Sequence, residues 1–179
     1  DAPGYTVHHG RLFDALGEEV DEVLVTLFRS PHSYTGEDAV EINCHGGLVQ
    51  TRRVLDSILG LGARPAAPGE FTRRAFLNGR IDLSQAEAVA ALVAARSLSA
   101  ARASLEQLEG RLSSRVGSIR DGLLALAGTL ELELDFTEEG LELATRQALV
   151  QKLEMARNPI RDLIASYGSG KVIRDGVSV

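Results

Sequence analysis

The chain has 179 residues, enough for one large domain or two small ones. Its hydrophobic content is 44%, with no tryptophan and only 4% aromatics, so its core must be built from Leu, Val, Ile and Ala. A net charge of −6, with scattered arginines outnumbered by acids, lacks the basic stripe usual for a free-standing nucleic-acid binder, so any contact with RNA is expected to be local or made by parts not in this chain, and no apolar run reaches the ~18 residues of a membrane helix.

Tyr5 to Phe13 reads as a short extended run, followed by a turn over Ala15-Leu16-Gly17-Glu18-Glu19. Val23, Val25 and Leu27 then alternate with Leu24, Thr26 and Phe28, the pattern of a strand covered on both faces. Ser30-Pro31 ends it, and a polar loop covers His32 to Asp38. In the next strand, Ala39 to Cys44, Val40, Ile42 and Cys44 point one way and Glu41, Asn43 and His45 the other. Gly46-Gly47 breaks it. Leu48 to Leu61 has the spacing of a helix with Val54, Leu55, Ile58 and Leu59 inward. A connector or short strand spans Gly62 to Ala67, and Pro68-Gly69 turns the chain. Glu70 to Leu77 is expected to be helical, with Phe71, Ala75 and Phe76 in the core and Asn78-Gly79 as its C-terminal cap.

Beyond residue 80 glycine thins and Ala and Leu dominate. Asp82 and Ser84 are candidate N-caps, and Ser84-Gln85-Ala86-Glu87 fits a capping box. Helices are predicted over 84–96 and, unbroken, over 98–136. In the second, Leu105, Leu108, Leu112, Val116, Ile119, Leu123, Leu126 and Leu130 recur at steps of 3 or 4, as in a bundle or coiled-coil seam. Thr137 to Ala144 reads as an acidic loop. Thr145 opens a further helix, which Pro159 should kink or split and Gly168-Ser169-Gly170 should close. The fold class is therefore α+β: a small mixed part, 1–80, and an all-helical part, 81–179. Cys44 is the only cysteine, so no internal disulfide is possible and a reducing, cytoplasmic setting is the simplest expectation. The missing initial Met and the apolar end Val177-Ser178-Val179 read as cut ends of a longer chain, and no signal peptide is expected.

Several groups are candidates for chemistry. Glu41, Asn43 and His45 on one strand face line a polar pocket or face solvent; both readings stand. Cys44 and His45 do not make a thiol and base, since adjacent strand residues point apart, and His8, His9 and His32 add no ligand spacing for a metal. Arg73 and Arg74 diverge by about 100° around a helix and do not form one clamp. Arg80, after a helix-ending glycine, either complements the negative helix end or binds an anion. Gly168-Ser169-Gly170-Lys171 resembles the tail of a phosphate-binding loop, but the full pattern needs Gly at 165 and Ser or Thr at 172, where Ala165 and Val172 stand. The acidic group Glu131, Glu133, Asp135, Glu138 and Glu139 reads as a solvated helix end.

Two stretches, Ser33-Tyr34-Thr35-Gly36-Glu37-Asp38 to His45-Gly46-Gly47 and Pro68-Gly69-Glu70-Phe71 to Asp82-Leu83-Ser84-Gln85-Ala86-Glu87-Ala88, resemble the MnmE/TrmE family of tRNA-modification GTPases. Leu134-Asp135-Phe136 and the closing Arg174-Asp175-Gly176 fit the same family, and the resemblance covers nearly the whole chain. It implies that 1–80 is a tetrahydrofolate-binding and dimerisation domain, lacking its first strands, similar to the aminomethyltransferase of glycine cleavage. It implies that 81–179 is the first part of a helical domain, ending where a GTPase domain is inserted. The family is homodimeric, hydrolyses GTP with magnesium and potassium, and binds 5-formyl- or 5,10-methylene-tetrahydrofolate. With the flavoprotein MnmG (GidA) it modifies C5 of the wobble uridine of tRNA. By motif position Glu41 matches one folate contact. Arg80 matches another, where lysine is frequent; arginine keeps the charge but not the geometry. A further folate-contacting arginine of the family falls before Asp1, and the phosphate-binding loop and C-terminal cysteine motif are not in this chain. The competing expectation is a helical scaffold or interaction module without a ligand.

Overall fold

The computed structural model describes residues 4–135 and 145–175. Three strands, β1 (Thr6–Phe13), β2 (Glu19–Phe28) and β3 (Ala39–Asn43), form an antiparallel sheet in the order β1-β2-β3. The β1–β2 turn is closed by Asp14, whose Oδ1 accepts from the amides of Leu16 and Glu18 at 2.9 Å each. A register irregularity between Leu12 and Phe13 shifts the pairing, which resumes with Phe13 opposite Glu19. Two helices follow, α1 (Leu48–Gly60) and α2 (Glu70–Leu77), so the expected helices are present, whereas Gly62 to Ala67 forms no strand.

Helix α1 packs on β2, and its Val54 is buried, as are Val20 and Val23 of β2. The Gln50 amide also donates to the Val20 carbonyl. Cross-strand partners share a face, so Val7, Thr26 and Glu41 lie on one side, with His9, Leu24 and Asn43 beside them. That side is largely open: Val7 is 61% and Leu24 45% exposed. The expectation that β2 is covered on both faces therefore fails; one helix layer covers one face of a sheet.

The chain divides into two compact units, Asp1–Asp82 and Leu83–Val179. The second holds α3 (Leu83–Ala94), α4 (Leu98–Leu108), α5 (Arg111–Asp135) and α6 (Arg146–Asp175). Helices α3 and α4 form an antiparallel hairpin around buried Ala88, Ala100 and Ser104, small residues that let the backbones approach. Ser97 caps α4, its Oγ accepting from the Ala100 amide at 3.1 Å. Ser84, read as a capping-box residue, is used across the hairpin instead. Its hydroxyl and carbonyl accept from Gln107 Nε2 at 3.1 and 2.9 Å, while Gln85 Nε2 reaches the Leu108 carbonyl at the end of α4 at 2.7 Å.

The expected continuous helix over 98–136 is broken at Gly110, which takes φ +82°, where a side chain would be strained. Its amide bonds back to Gln107 O and the Ser114 amide bonds to Gly110 O, so one helix stops and the next begins within a single turn. The leucine seam runs across this break, but only Leu126 of it is buried; Val116 is 51% and Leu130 41% exposed. Thr145 opens α6 as expected, its Oγ1 accepting from the Ala148 amide at 3.2 Å. Helix α6 continues through Pro159 and through Gly168-Ser169-Gly170, reaching Asp175. Those glycines do not take the left-handed turn that would end a helix, so the expected stop is absent. The acidic loop 137–144 lies outside the described residues.

Candidate functional site

The site is built on the end of α2. Asn78, Gly79 and Arg80 form a capping turn: the Arg80 amide bonds to Ala75 O at 2.9 Å, the Gly79 amide to Phe76 O at 3.0 Å, and Gly79 takes φ +68°. This is the cap chemistry read from Asn78-Gly79, and it sets where Arg80 leaves the helix. Ala75 is fully buried, but Phe71 is 56% and Phe76 40% exposed, against the expectation that both are core. A two-turn helix has one face for the domain, and Ala75 occupies it.

From that cap the side chains reach into the loop between β2 and β3. Asn78 Nδ2 donates to the Thr35 carbonyl at 2.8 Å, and Arg80 Nε donates to the Ser33 carbonyl at 3.1 Å. Arg74 Nε lies 2.7 Å from the buried Glu37 Oε2, an ion pair between α2 and the loop. Arg74 holds Glu37 below the usual carboxylate range, outweighing the opposing effect of burial. Tyr34 Oη and Thr72 Oγ1 are 3.0 Å apart.

The loop is also tied to itself. Ser33 Oγ donates to Glu37 O at 2.6 Å and Ser30 Oγ to Gly36 O at 2.9 Å. Asp38 accepts from the Ser30 amide at 2.8 Å and from Arg29 at 3.0 Å; the amide first and the guanidinium second lower its pKa. Ser33 and Thr35 are buried. Gly36 takes φ +77°, and a Cβ there would lie 3.0 Å from Arg80 Cγ. Glycine is therefore needed both for the turn and for the close passage of the Arg80 stem.

Ahead of α2, Arg64 grips Glu70 with both terminal nitrogens, at 2.9 and 2.6 Å, and Glu70 also accepts from the Ala67 amide at 2.8 Å. Arg64 first and the amide second lower the Glu70 pKa to about 2. The carboxylate also suits the positive end of the helix.

The two sequence-predicted contacts are placed differently. Arg80 sits in this network: its Nε is committed to Ser33, and its terminal nitrogens have no hydrogen-bond or ion-pair partner among the described residues. Glu41 is exposed on β3, opposite Thr26, also without such a partner. No hydrogen bond or ion pair joins the two. Asn43 and His45 border a shallow hollow of about 360 Å3 with His9, Glu22, Val23, Leu24 and Cys44, which Glu41 does not line. His45 turns to Asp21, whose carboxylate accepts from the His45 amide and contacts Nδ1, each at 2.8 Å. Burial pushes the Asp21 pKa up, but the hydrogen bonds from His45 and the Glu22 amide together hold it down.

Arg74 and Asn78 were not singled out as site residues by the sequence. The available signals were Arg74 four residues after Glu70, the spacing of a helix ion pair seen here at 3.9 Å, and Asn78 at a cap. Neither signal names the loop they hold. No described helix is long and apolar enough to cross a membrane. The phosphate-loop look-alike lies inside α6.

The loop and the α2 cap are thus one hydrogen-bonded structure, and each is one of the two stretches that carry the family resemblance. Residues 1–80 match the family model described as the GTP-binding protein TrmE N-terminus, and residues 83–178 match the MnmE helical domain. Proteins named tRNA modification GTPase MnmE are similar along the chain. That of Chlorobaculum tepidum is 50% identical over 179 residues, covering 99% of this chain and 37% of the relative. That of Salinibacter ruber is 48% identical over 179 residues, covering 100% of this chain and 39% of the relative. That of Shouchella clausii is 46% identical, covering 99% and 39%. The chain spans less than two fifths of the length of these curated relatives. With both family models matched in order and this identity held from end to end, the chain belongs to the MnmE/TrmE family and carries its N-terminal and helical portions.

Proposed function

We propose that this chain is the folate-binding and dimerising portion, with the first helices of the helical domain, of a GTPase that modifies C5 of the wobble uridine of tRNA together with the flavoprotein MnmG (GidA). In this reading the whole protein is a cytoplasmic homodimer, and GTP, magnesium and potassium are bound by a domain this chain does not include. Residues 1–80 hold a one-carbon tetrahydrofolate, 5-formyl or 5,10-methylene. The observation that supports the reading most is the junction itself, in which Asn78 and Arg80 hold the carbonyls of Thr35 and Ser33. A shared role for the two family stretches accounts for that wiring.

The donor set suits a folate. Glu41 presents an unpaired carboxylate on a strand face, able to accept adjacent N–H donors of a reduced pterin. Arg80, anchored through Nε, leaves two terminal nitrogens for a carbonyl or for the glutamate tail. The group would supply a one-carbon unit; the residues here would bind and orient it.

The test is titration calorimetry of 5-formyltetrahydrofolate into the full-length protein. Saturable binding is expected, weakened roughly 10- to 100-fold in Glu41→Ala and in Arg80→Ala, the scale of a lost charge-assisted hydrogen bond. Unchanged affinity in Glu41→Ala removes that residue from the site. No binding by the parent protein favours the scaffold reading instead.

A further inference from the structure

We draw no further inference here: the strongest candidate, the largely apolar groove of about 640 Å3 between α5 and α6 lined by Ile119, Leu126, Met155 and Pro159, carries none because nothing in the structure shows what covers it.

Discussion

At the residue scale, Glu70 and Gly36 carry the sharpest consequences. Glu70 has a folded pKa of about 2 against an ordinary value of 4.5. A depressed carboxylate contributes stability that is fully present above the unfolded value and is lost as pH falls through the folded one. Glu70→Gln should therefore lower the urea midpoint at neutral pH. The gap from the parent protein should narrow from about pH 4.5 downward and close near pH 2. A gap that stays constant over that window would show that Arg64 and the Ala67 amide do not act through the charge. Gly36 is constrained twice, by φ +77° and by the Arg80 stem. Gly36→Ala should cost about 1–2 kcal/mol from the left-handed backbone alone, read from urea unfolding. Swapping Arg80 for Ala in the same background should recover only the part owed to the crowded stem and leave the cost of φ in place. Asn78→Ala should cost about 1 kcal/mol by leaving the Thr35 carbonyl without its donor.

At the element scale, the helices of the second unit show how local signals compete with packing. The leucine spacing continues through Gly110 without interruption, so periodicity alone predicts one helix from 98 to 136. A glycine within such a pattern costs only about 1 kcal/mol relative to alanine and is often tolerated. Here it takes the positive φ that lets α5 start in a new direction. The converse holds in α6, where two glycines near its end remain helical. The two cases differ in tertiary contact, not in residue type. Gln85 lies against the Gly110 turn and caps α4 through Leu108. The hairpin is also tight enough that volume decides its stability. Ala88 is fully buried, and Ala88→Leu should destabilise by about 1–3 kcal/mol through overpacking, measured as a shift in urea midpoint. A neutral result would mean that the α3–α4 interface relaxes readily.

At the scale of the whole molecule, two units of different composition follow each other in the chain. The composition also changes near residue 80, from a glycine-richer stretch to one dominated by Ala and Leu. The phosphate-loop look-alike is settled by context as well. Helix α6 runs through Gly168 to Lys171, so its amides serve the helical ladder and are not free to cradle a phosphate. In the full-length GTPase proposed above, Lys171→Ala should accordingly leave GTP affinity within twofold of the parent in a nucleotide-binding assay. A loss of tenfold or more would place Lys171 in a nucleotide site after all.

The sequence by itself determined that three strands and two helices follow in this order, the bounds of α2, the cap at Asn78-Gly79 and the family, because each rests on neighbours within a few residues or on intact motifs; β2 starts at Glu19, earlier than the alternation from Val23 indicates. It also offered Glu41 and Arg80 as contacts. The tertiary structure alone decided that Arg74, Asn78 and Arg80 reach back to the Ser33–Asp38 loop, more than thirty residues away. It alone decided that Phe71 and Phe76 stay exposed, that Ser84 bonds across a hairpin and that the long helix breaks at Gly110. Local preferences differ by about 1 kcal/mol, so contacts between segments distant in sequence overrule them, and no pattern within one segment records which partner it will meet.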